Sequence, residues 1–384
     1  MRIVQVAPFY HPIQGGVETV VKNISEYLSR KGFDVYIVTY NRDRLGNKNI
    51  LRPREEINGV KVIRLKPTIL YSHGSFSEKL HEVLSTLRPS TVHAHVWRHP
   101  HSLIIPRLKR KLGFRAILHG HSPFFPNSSL IEKLYYKIVD HLGMSSLSSY
   151  DQIICLTPHE KAVYMEWFRA PDERTIVIPN GISDLLLYDS SDAESIGNLK
   201  KMIGCESRDI ILYLGRISKI KNLCLLIEAI GYIIKELKDT MLVLAGPDEG
   251  FVREALKLAE SNDTSRYIKY LGLIGENWKE LLYAASNVFA LPSLYEPFGI
   301  SLLEAQAFGK PAVITGYGGQ EYTCQVGRTG LWSPPRPKPY SEAILRLLTD
   351  RSLYRKMSYN ARLWADAHAW SRILPLYEKI YGSN

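Results

Sequence analysis

The chain has 384 residues, 45% of them hydrophobic and 23% charged, with 49 Lys plus Arg against 38 Asp plus Glu, a net charge of +11. That length suits two globular domains of ordinary size, and no stretch approaches the roughly 18–20 apolar residues of a spanning helix. The basic balance favours anionic partners. No motif interleaves aromatic and basic residues as nucleic-acid modules do, so no nucleic acid is expected among them.

The opening "MRIVQVAPFYHP" has too short an apolar run for a signal peptide. It reads as a strand (2–9) followed by the loop "YHPIQGG" (10–16), a helix stopped at Gly32 and a strand over 34–40. Further strands are expected at 59–65, 90–96, 115–121 and 151–157. Apolar strands alternating with helices imply an α/β fold on a parallel sheet. "TIVIPNGI" (175–182) closes on a turn signal, and the polar stretch 183–201 reads as a connector. A domain boundary is therefore expected at 182/183. The second half repeats the design: strand 209–215, loop "RISKIKN", helix 223–237, strand 240–246, then strand, helix, strand, helix and strand up to 315. The last 50 or so residues, about 14 turns, read as helical. Two doubly wound domains would face each other across a cleft at the carboxyl ends of their strands, where ligands of such sheets bind. The four cysteines, Cys155, Cys205, Cys224 and Cys324, have no metal spacing, which fits a reduced, cytoplasmic protein.

Four motifs carry chemistry. Gly15-Gly16, between a strand and a helix, would let an anion approach free backbone amides; the dinucleotide pattern G-x-G-x-x-G is absent. Arg216 and Lys221 in "LGRISKIKN" offer two cations on one loop, suited to a diphosphate or to plain solvation. In "YEPFGISLLEA" (295–305), Glu296 is biased to extended backbone by the proline after it. Pro297 is expected in the first helical turn, Phe298, Gly299 and Ile300 would offer free amides, and Glu304 would lie about two turns along. The competing reading makes Glu296 a dipole partner of the helix and Glu304 a solvent-facing residue. "LHGHSPF" (118–124) places His119 and His121 at a strand end, near His93, His95, His99 and His101. Histidine clusters raise zinc, but no HExxH and no cysteine accompanies them, and no metal is expected. No D-x-D, the tripeptide by which many nucleotide-sugar enzymes hold a divalent ion, occurs anywhere in the chain.

In order and separation, Gly15-Gly16, "GRISKIKN", "AGPDEG" (245–250), "YLGLI" (270–274) and "EPFGISLLEA" resemble the retaining glycosyltransferases of family 4, the glycogen-synthase-like group of GT-B architecture. The resemblance covers nearly the whole chain and is most specific over 209–331. It implies two Rossmann-like domains, 1–182 on the acceptor side and 183–364 on the nucleotide-sugar side, with a terminal helix in 365–384 crossing back to the first. Arg216 and Lys221 would bind the donor phosphates and Glu304 the ribose. Glu296 would stand beside the transferred sugar, cradled by the Phe298–Gly299 backbone. His119 would be the active-site histidine, with His121 as its rival. Gly15 and Gly16 would meet the diphosphate and acceptor, and Leu273 and Ile274 the base. One departure is "GGQEYT" (318–323), which lacks the proline many relatives carry there.

The implied reaction moves a hexose from a UDP- or GDP-sugar to a hydroxyl of a glycan or lipid-linked acceptor, retaining the anomer and needing neither metal nor cofactor. Arg216, Lys221 and helix-end amides would stabilise charge on the departing diphosphate. Competing classes are a sugar-nucleotide epimerase of the same shape, a nucleotide-sugar-binding protein without catalysis and, more distantly, a nicotinamide oxidoreductase. "RLKRKLGFR" (107–115) carries five cations, and 128–146 has an apolar stripe of Leu130, Ile131, Leu134, Tyr135, Ile138 and Leu142. Both features suit peripheral contact with an anionic leaflet on the cytoplasmic face, and equally a solvated helix face over an ordinary core.

Overall fold

The computed structural model describes residues 1–13, 15–43, 47–48, 50–71, 74–122, 124, 130–187 and 192–382. They form two compact units, Met1–Asn180 with Trp370–Asn384, and Gly181–Ala369. The junctions thus lie at 180/181 and 369/370 instead of 182/183 and 364/365.

In the first unit β1 (Arg2–Val6), α1 (Gly16–Arg30), β2 (Asp34–Tyr40), β3 (Arg54–Ile57), β4 (Val60–Leu65), β5 (Ile69–Tyr71), β6 (Gly74–Phe76), α2 (Lys79–Leu87) and β7 (Thr91–His95) come first. Then follow α3 (Pro100–Leu112), β8 (Arg115–His119), α4 (Leu130–Leu147), β9 (Gln152–Cys155), α5 (Pro158–Phe168) and β10 (Thr175–Val177). Eight strands make one sheet in the order β10-β9-β8-β7-β1-β2-β4-β3, antiparallel only where β3 meets β4. Strands β1, β7 and β8 are buried along nearly their whole length, which is why they are apolar runs. The exceptions are polar: Gln5, His93, His95 and His119 are all wholly buried. Helix α5 starts on a threonine N-cap, with Thr157 Oγ1 accepting from Glu160 N at 3.1 Å and Pro158 in the first turn.

In the second unit the order is α6 (Ala193–Ile203), β11 (Asp209–Leu214), α7 (Leu223–Glu236), β12 (Thr240–Ala245), α8 (Val252–Ser261), β13 (Ile268–Tyr270), α9 (Glu276–Ala285) and β14 (Val288–Leu291). It continues with β15 (Tyr295–Glu296), α10 (Ile300–Ala307), β16 (Ala312–Ile314), β17 (Tyr317–Gly318), α11 (Gly319–Cys324), β18 (Gly330–Trp332), α12 (Pro337–Thr349) and α13 (Arg351–Ala367). The six-stranded sheet β13-β12-β11-β14-β16-β18 is parallel throughout. The stretch expected as a connector is partly helical, because Asp192 caps α6 by accepting from Ser195 N at 2.7 Å.

The last helix, α14 (Trp370–Gly382), belongs to the first unit. Trp370, Ile373, Leu374, Tyr377, Ile380 and Tyr381 enter the core beside α1 and β2. At about 1.5–3 kcal/mol per large apolar side chain buried, that face decides where the helix packs. Polar contacts fix its register: Tyr27 OH donates to Glu378 Oε2 at 2.5 Å, and Gln5 Nε2 donates to Tyr381 OH at 2.8 Å.

Candidate active site

Neighbouring parallel strands end at one edge of a sheet, so the loops after β11, β12, β14 and β16 leave the second unit on the same side. Backbone bonds tie them together: Leu294 N donates to Ile220 O at 3.0 Å and Ile217 N to Pro247 O at 2.9 Å, while β15 pairs with β17. Arg216 and Lys221 both lie on the loop after β11. Arg216 is half exposed, its Nη1 2.6 Å from Glu249 Oε1. Lys221 Nζ pairs with Glu296 Oε1, and both side chains are nearly buried, 12% and 10% exposed. Ser293 Oγ donates to the same Glu296 oxygen at 2.9 Å.

Pro297 does not stand in the first helical turn. Gly299 is left-handed, with φ 88°, so the right-handed helix α10 starts only at Ile300. The amides of Gly299 and Ile300 head that helix without an intrahelical acceptor. Phe298 is buried, and its carbonyl accepts from Thr323 Oγ1 at 2.6 Å. The "GGQEYT" segment is the start of α11, packed so closely that a Cβ on Gly319 would sit 1.9 Å from Pro297 O.

Glu304, in the second turn of α10, does not face solvent. It is buried, with Oε1 2.7 Å from Lys279 Nζ and Oε2 accepting from Tyr283 OH at 2.8 Å. Lys279 and Tyr283 stand four apart on α9 and so share a face. Burial opposes the Lys279 charge, but Glu304 and Glu276 outweigh it and raise its pKa. Burial, then Glu304, holds the Tyr283 hydroxyl well above its ordinary value. Each glutamate of the eight-residue step is therefore held by one lysine and one hydroxyl. Ser293, Lys279 and Tyr283 were not legible as partners; only the four-residue step of the last two was open to view. Leu273 is 71% exposed and Ile274 half-buried just beyond β13, at the same edge of the sheet.

Two family models match the chain: "Glycosyltransferase Family 4" over residues 14–184 and "Glycosyl transferases group 1" over 199–364. The chain is a GT4-like glycosyltransferase. It is 27% identical to an uncharacterized glycosyltransferase of Methanocaldococcus jannaschii, over 99% of this chain and 98% of that one. It is 24% identical to the GDP-mannose-dependent alpha-(1-6)-phosphatidylinositol dimannoside mannosyltransferase of Mycobacterium tuberculosis, over 97% and 93%. Its fold matches sucrose-phosphate synthase of Thermosynechococcus elongatus, with TM-score 0.78, 22% identity and 100% of both chains covered. It also matches Anabaena HepE in complex with UDP-glucose, with TM-score 0.79, 16% identity and the same coverage. The architecture is thus that of GT-B glycosyltransferases, two Rossmann-like domains.

In the first unit of this glycosyltransferase, Gly15 is extended and precedes the first residue of α1, Gly16. The histidines come together: β7 and β8 pair in register at His95 and His119. His119 stacks on His121 with ring centroids 3.9 Å apart and is wholly buried, as are His93 and His95. His119, the histidine expected at the active site, thus exposes no surface in this structure. His121, beyond the strand end, is 6% exposed. On α3, Lys109 is held by Ser149 O and Asp151, and Arg115 on β8 by Ile380 O, leaving Arg107, Arg110 and Lys111 as the exposed cations of 107–115. On α4, Leu134 and Ile138 are exposed; the side chains of Leu130, Ile131, Tyr135 and Leu142 lie outside the described residues. No described helix is long and apolar enough to cross a membrane.

Proposed function

We propose that this glycosyltransferase moves a hexose from a UDP- or GDP-sugar to a hydroxyl of a glycan or lipid-linked acceptor, with retention of the anomeric configuration. One observation carries the reading: two buried glutamates eight residues apart are each engaged by a lysine, beside helix-end amides on one edge of a sheet. That arrangement presents positive charge for a diphosphate between two hydrogen-bonding carboxylates.

Arg216, Lys221 and the amides of Phe298, Gly299 and Ile300 take the donor phosphates, and their preorganised charge stabilises the leaving diphosphate. Glu304, held by Tyr283 and Lys279, accepts from the ribose hydroxyls. Leu273 and Ile274 border the base. Glu296 orients the sugar; carboxylate pairs serve retaining glycosidases as nucleophile and acid, but a carboxylate already paired to Lys221 is a positioner. Gly15 and Gly16 serve the acceptor and diphosphate on the first unit. The step at the donor requires no metal. The UDP-glucose bound by Anabaena HepE and the GDP-mannose dependence of the mycobacterial relative support a nucleotide sugar and leave the base open.

Exposed Leu134 and Ile138, each directly after an exposed lysine (Lys133 and Lys137), with Arg107, Arg110 and Lys111, support peripheral contact with an anionic membrane on the cytoplasmic face. Sedimentation with anionic liposomes at low salt tests this, and failure to sediment removes it. The main test is a panel of nucleotide sugars scored by thermal shift, since a ligand of the folded state raises its stability. The stabilising donor is then incubated with acceptors and the product's anomer read by NMR. An epimerised donor without acceptor, or binding without nucleotide release, would overturn transfer.

A further inference from the structure

We propose that Glu249 is a fixed counter-charge to Arg216 that weakens the hold on the departing nucleoside diphosphate more than on the intact nucleotide sugar, and so favours product release. The inference rests on the reading of Arg216 as a donor-phosphate residue.

The backbone decides where Glu249 stands. The loops after β11 and β12 touch at two glycines, where a Cβ on Gly246 would lie 2.0 Å from Gly215 O. Ile217 N donates to Pro247 O and Glu249 N donates to Ile217 O, both at 2.9 Å. Tyr213 OH fixes the other side by donating to Arg216 O at 2.7 Å. Asp248, next to Glu249, caps the turn that follows: its Oδ1 accepts from the amides of Gly250, Phe251 and Val252 at 2.8, 2.8 and 3.1 Å. Asp248 is thereby occupied, and Glu249 is the carboxylate of this loop that meets Arg216, at 2.6 Å.

The two cations assigned to the phosphates are paired in unlike ways. The Lys221 and Glu296 side chains are 12% and 10% exposed, and Ser293 Oγ adds a bond to the same carboxylate oxygen. Those of Arg216 and Glu249 are 43% and 34% exposed. An ion pair this open to water is weak, so a phosphate can exchange for it. Among the described residues Glu249 engages only Nη1 of Arg216, and Nε and Nη2 remain for a phosphate oxygen. The backbone bonds keep Glu249 at hand throughout, so two anions then share one guanidinium.

That sharing sets the sign of the effect. Glu249 competes with the phosphate for Arg216, and its charge repels the phosphate once bound. In favour of binding it offers only the fixing of one long side chain, a small gain at a half-exposed pair. Competition and repulsion therefore prevail, and repulsion grows with the charge of the ligand. In the transfer the acceptor oxygen takes the hexose and loses its proton. The bond from the anomeric carbon to the β-phosphate oxygen breaks, and its electron pair leaves with the diphosphate. The esterified β-phosphate thus becomes a terminal one with a second ionisation, so the product carries about −3 near pH 7 against about −2 for the nucleotide sugar. Glu249 opposes the product more than the donor that must replace it.

Calorimetric titration of the full chain at low salt with UDP, UDP-glucose, GDP and GDP-mannose tests this. Glu249 is exposed, so its replacement leaves the fold intact. For the base that binds, Glu249→Gln should tighten the diphosphate by about three- to tenfold. The nucleotide sugar should gain less, so that the ratio of the two Kd values shifts at least about twofold in favour of the diphosphate. Glu249→Ala should move the ratio the same way, and salt should shrink the gain. A diphosphate held no more tightly by either variant, or an equal gain for diphosphate and sugar, would overturn the proposal. Arg216→Ala keeps the two readings apart. If it binds all four ligands as wild type does, the phosphate role of Arg216 falls and this inference with it. If it loses affinity while the Glu249 variants gain none, this inference alone falls.

Discussion

Lys221 is the residue whose replacement separates a binding role from a packing role. Its ammonium meets Glu296 in a pair whose side chains are about a tenth exposed, so solvent screening takes away little of the interaction. Removing one partner of a buried pair costs about 3–5 kcal/mol, because the other charge is left stranded. Ser293 Oγ still donates to Glu296 in the variant, so the lower end, about 3 kcal/mol, applies to Lys221→Ala. In a unit of this size that is a Tm lower by about 6–12 °C. Loss of a charge aimed at the leaving diphosphate should in addition cut kcat by about 10²–10³. The double variant Lys221→Met/Glu296→Gln removes both charges and leaves none stranded, so most of the Tm should return, while transfer stays lost. Calorimetry and acceptor-dependent release of nucleoside diphosphate read the two effects. A double variant that recovers transfer to within tenfold of wild type would refute the phosphate role, and an unchanged Tm in Lys221→Ala would refute the buried-pair energetics.

Tyr283→Phe removes the hydroxyl from Glu304, a bond to a charged acceptor worth about 1.5–3 kcal/mol; KM for the donor should rise at least about tenfold with kcat little changed. A fall in kcat at constant KM would place Glu304 elsewhere than at the ribose. Gly319→Ala forces a methyl against Pro297 O, so denaturant melts of the full chain should show a loss of about 1–3 kcal/mol or more, with the donor's thermal shift abolished. Stability equal to wild type would refute the close approach of α11 to this loop. Burial pushes the Glu160 carboxyl up from 4.5 to about 7, against the hydrogen bonds it accepts from Leu156 and Ser122 amides. The folded value exceeds the unfolded one, so this stabilisation is whole below pH 4.5 and is lost as pH rises through about 7. The stability difference between wild type and Glu160→Gln should therefore shift against wild type by up to roughly 3 kcal/mol from pH 4.5 to 8; a pH-independent difference would count against it.

What could be read from residues alone was whatever lies close in sequence and repeats with a period. Strands such as β2 and β11 announce themselves as apolar runs, and their ends came within a residue or two. Strand β3, "REEI", is an antiparallel edge strand, exposed and charged, and has no apolar signature to find. The Glu296–Glu304 step was visible because both residues belong to one loop and helix; the misplaced Pro297 shows that proline preference yields to the left-handed Gly299 two residues on. Lys279 and Tyr283 stayed hidden, because nothing 21 or more positions away marks them as the partners of Glu304. The histidines show the same limit more sharply. The two-residue steps of "HAH" and "HGH" already say that each pair shares a face while its strand lasts. Whether the pairs meet depends on β7 and β8 being neighbours and on His95 standing opposite His119. A slip of one residue would have turned His119 to the opposite face. Register is a property of two strands at once, so a cluster built across a sheet has no spacing in the chain by which to find it.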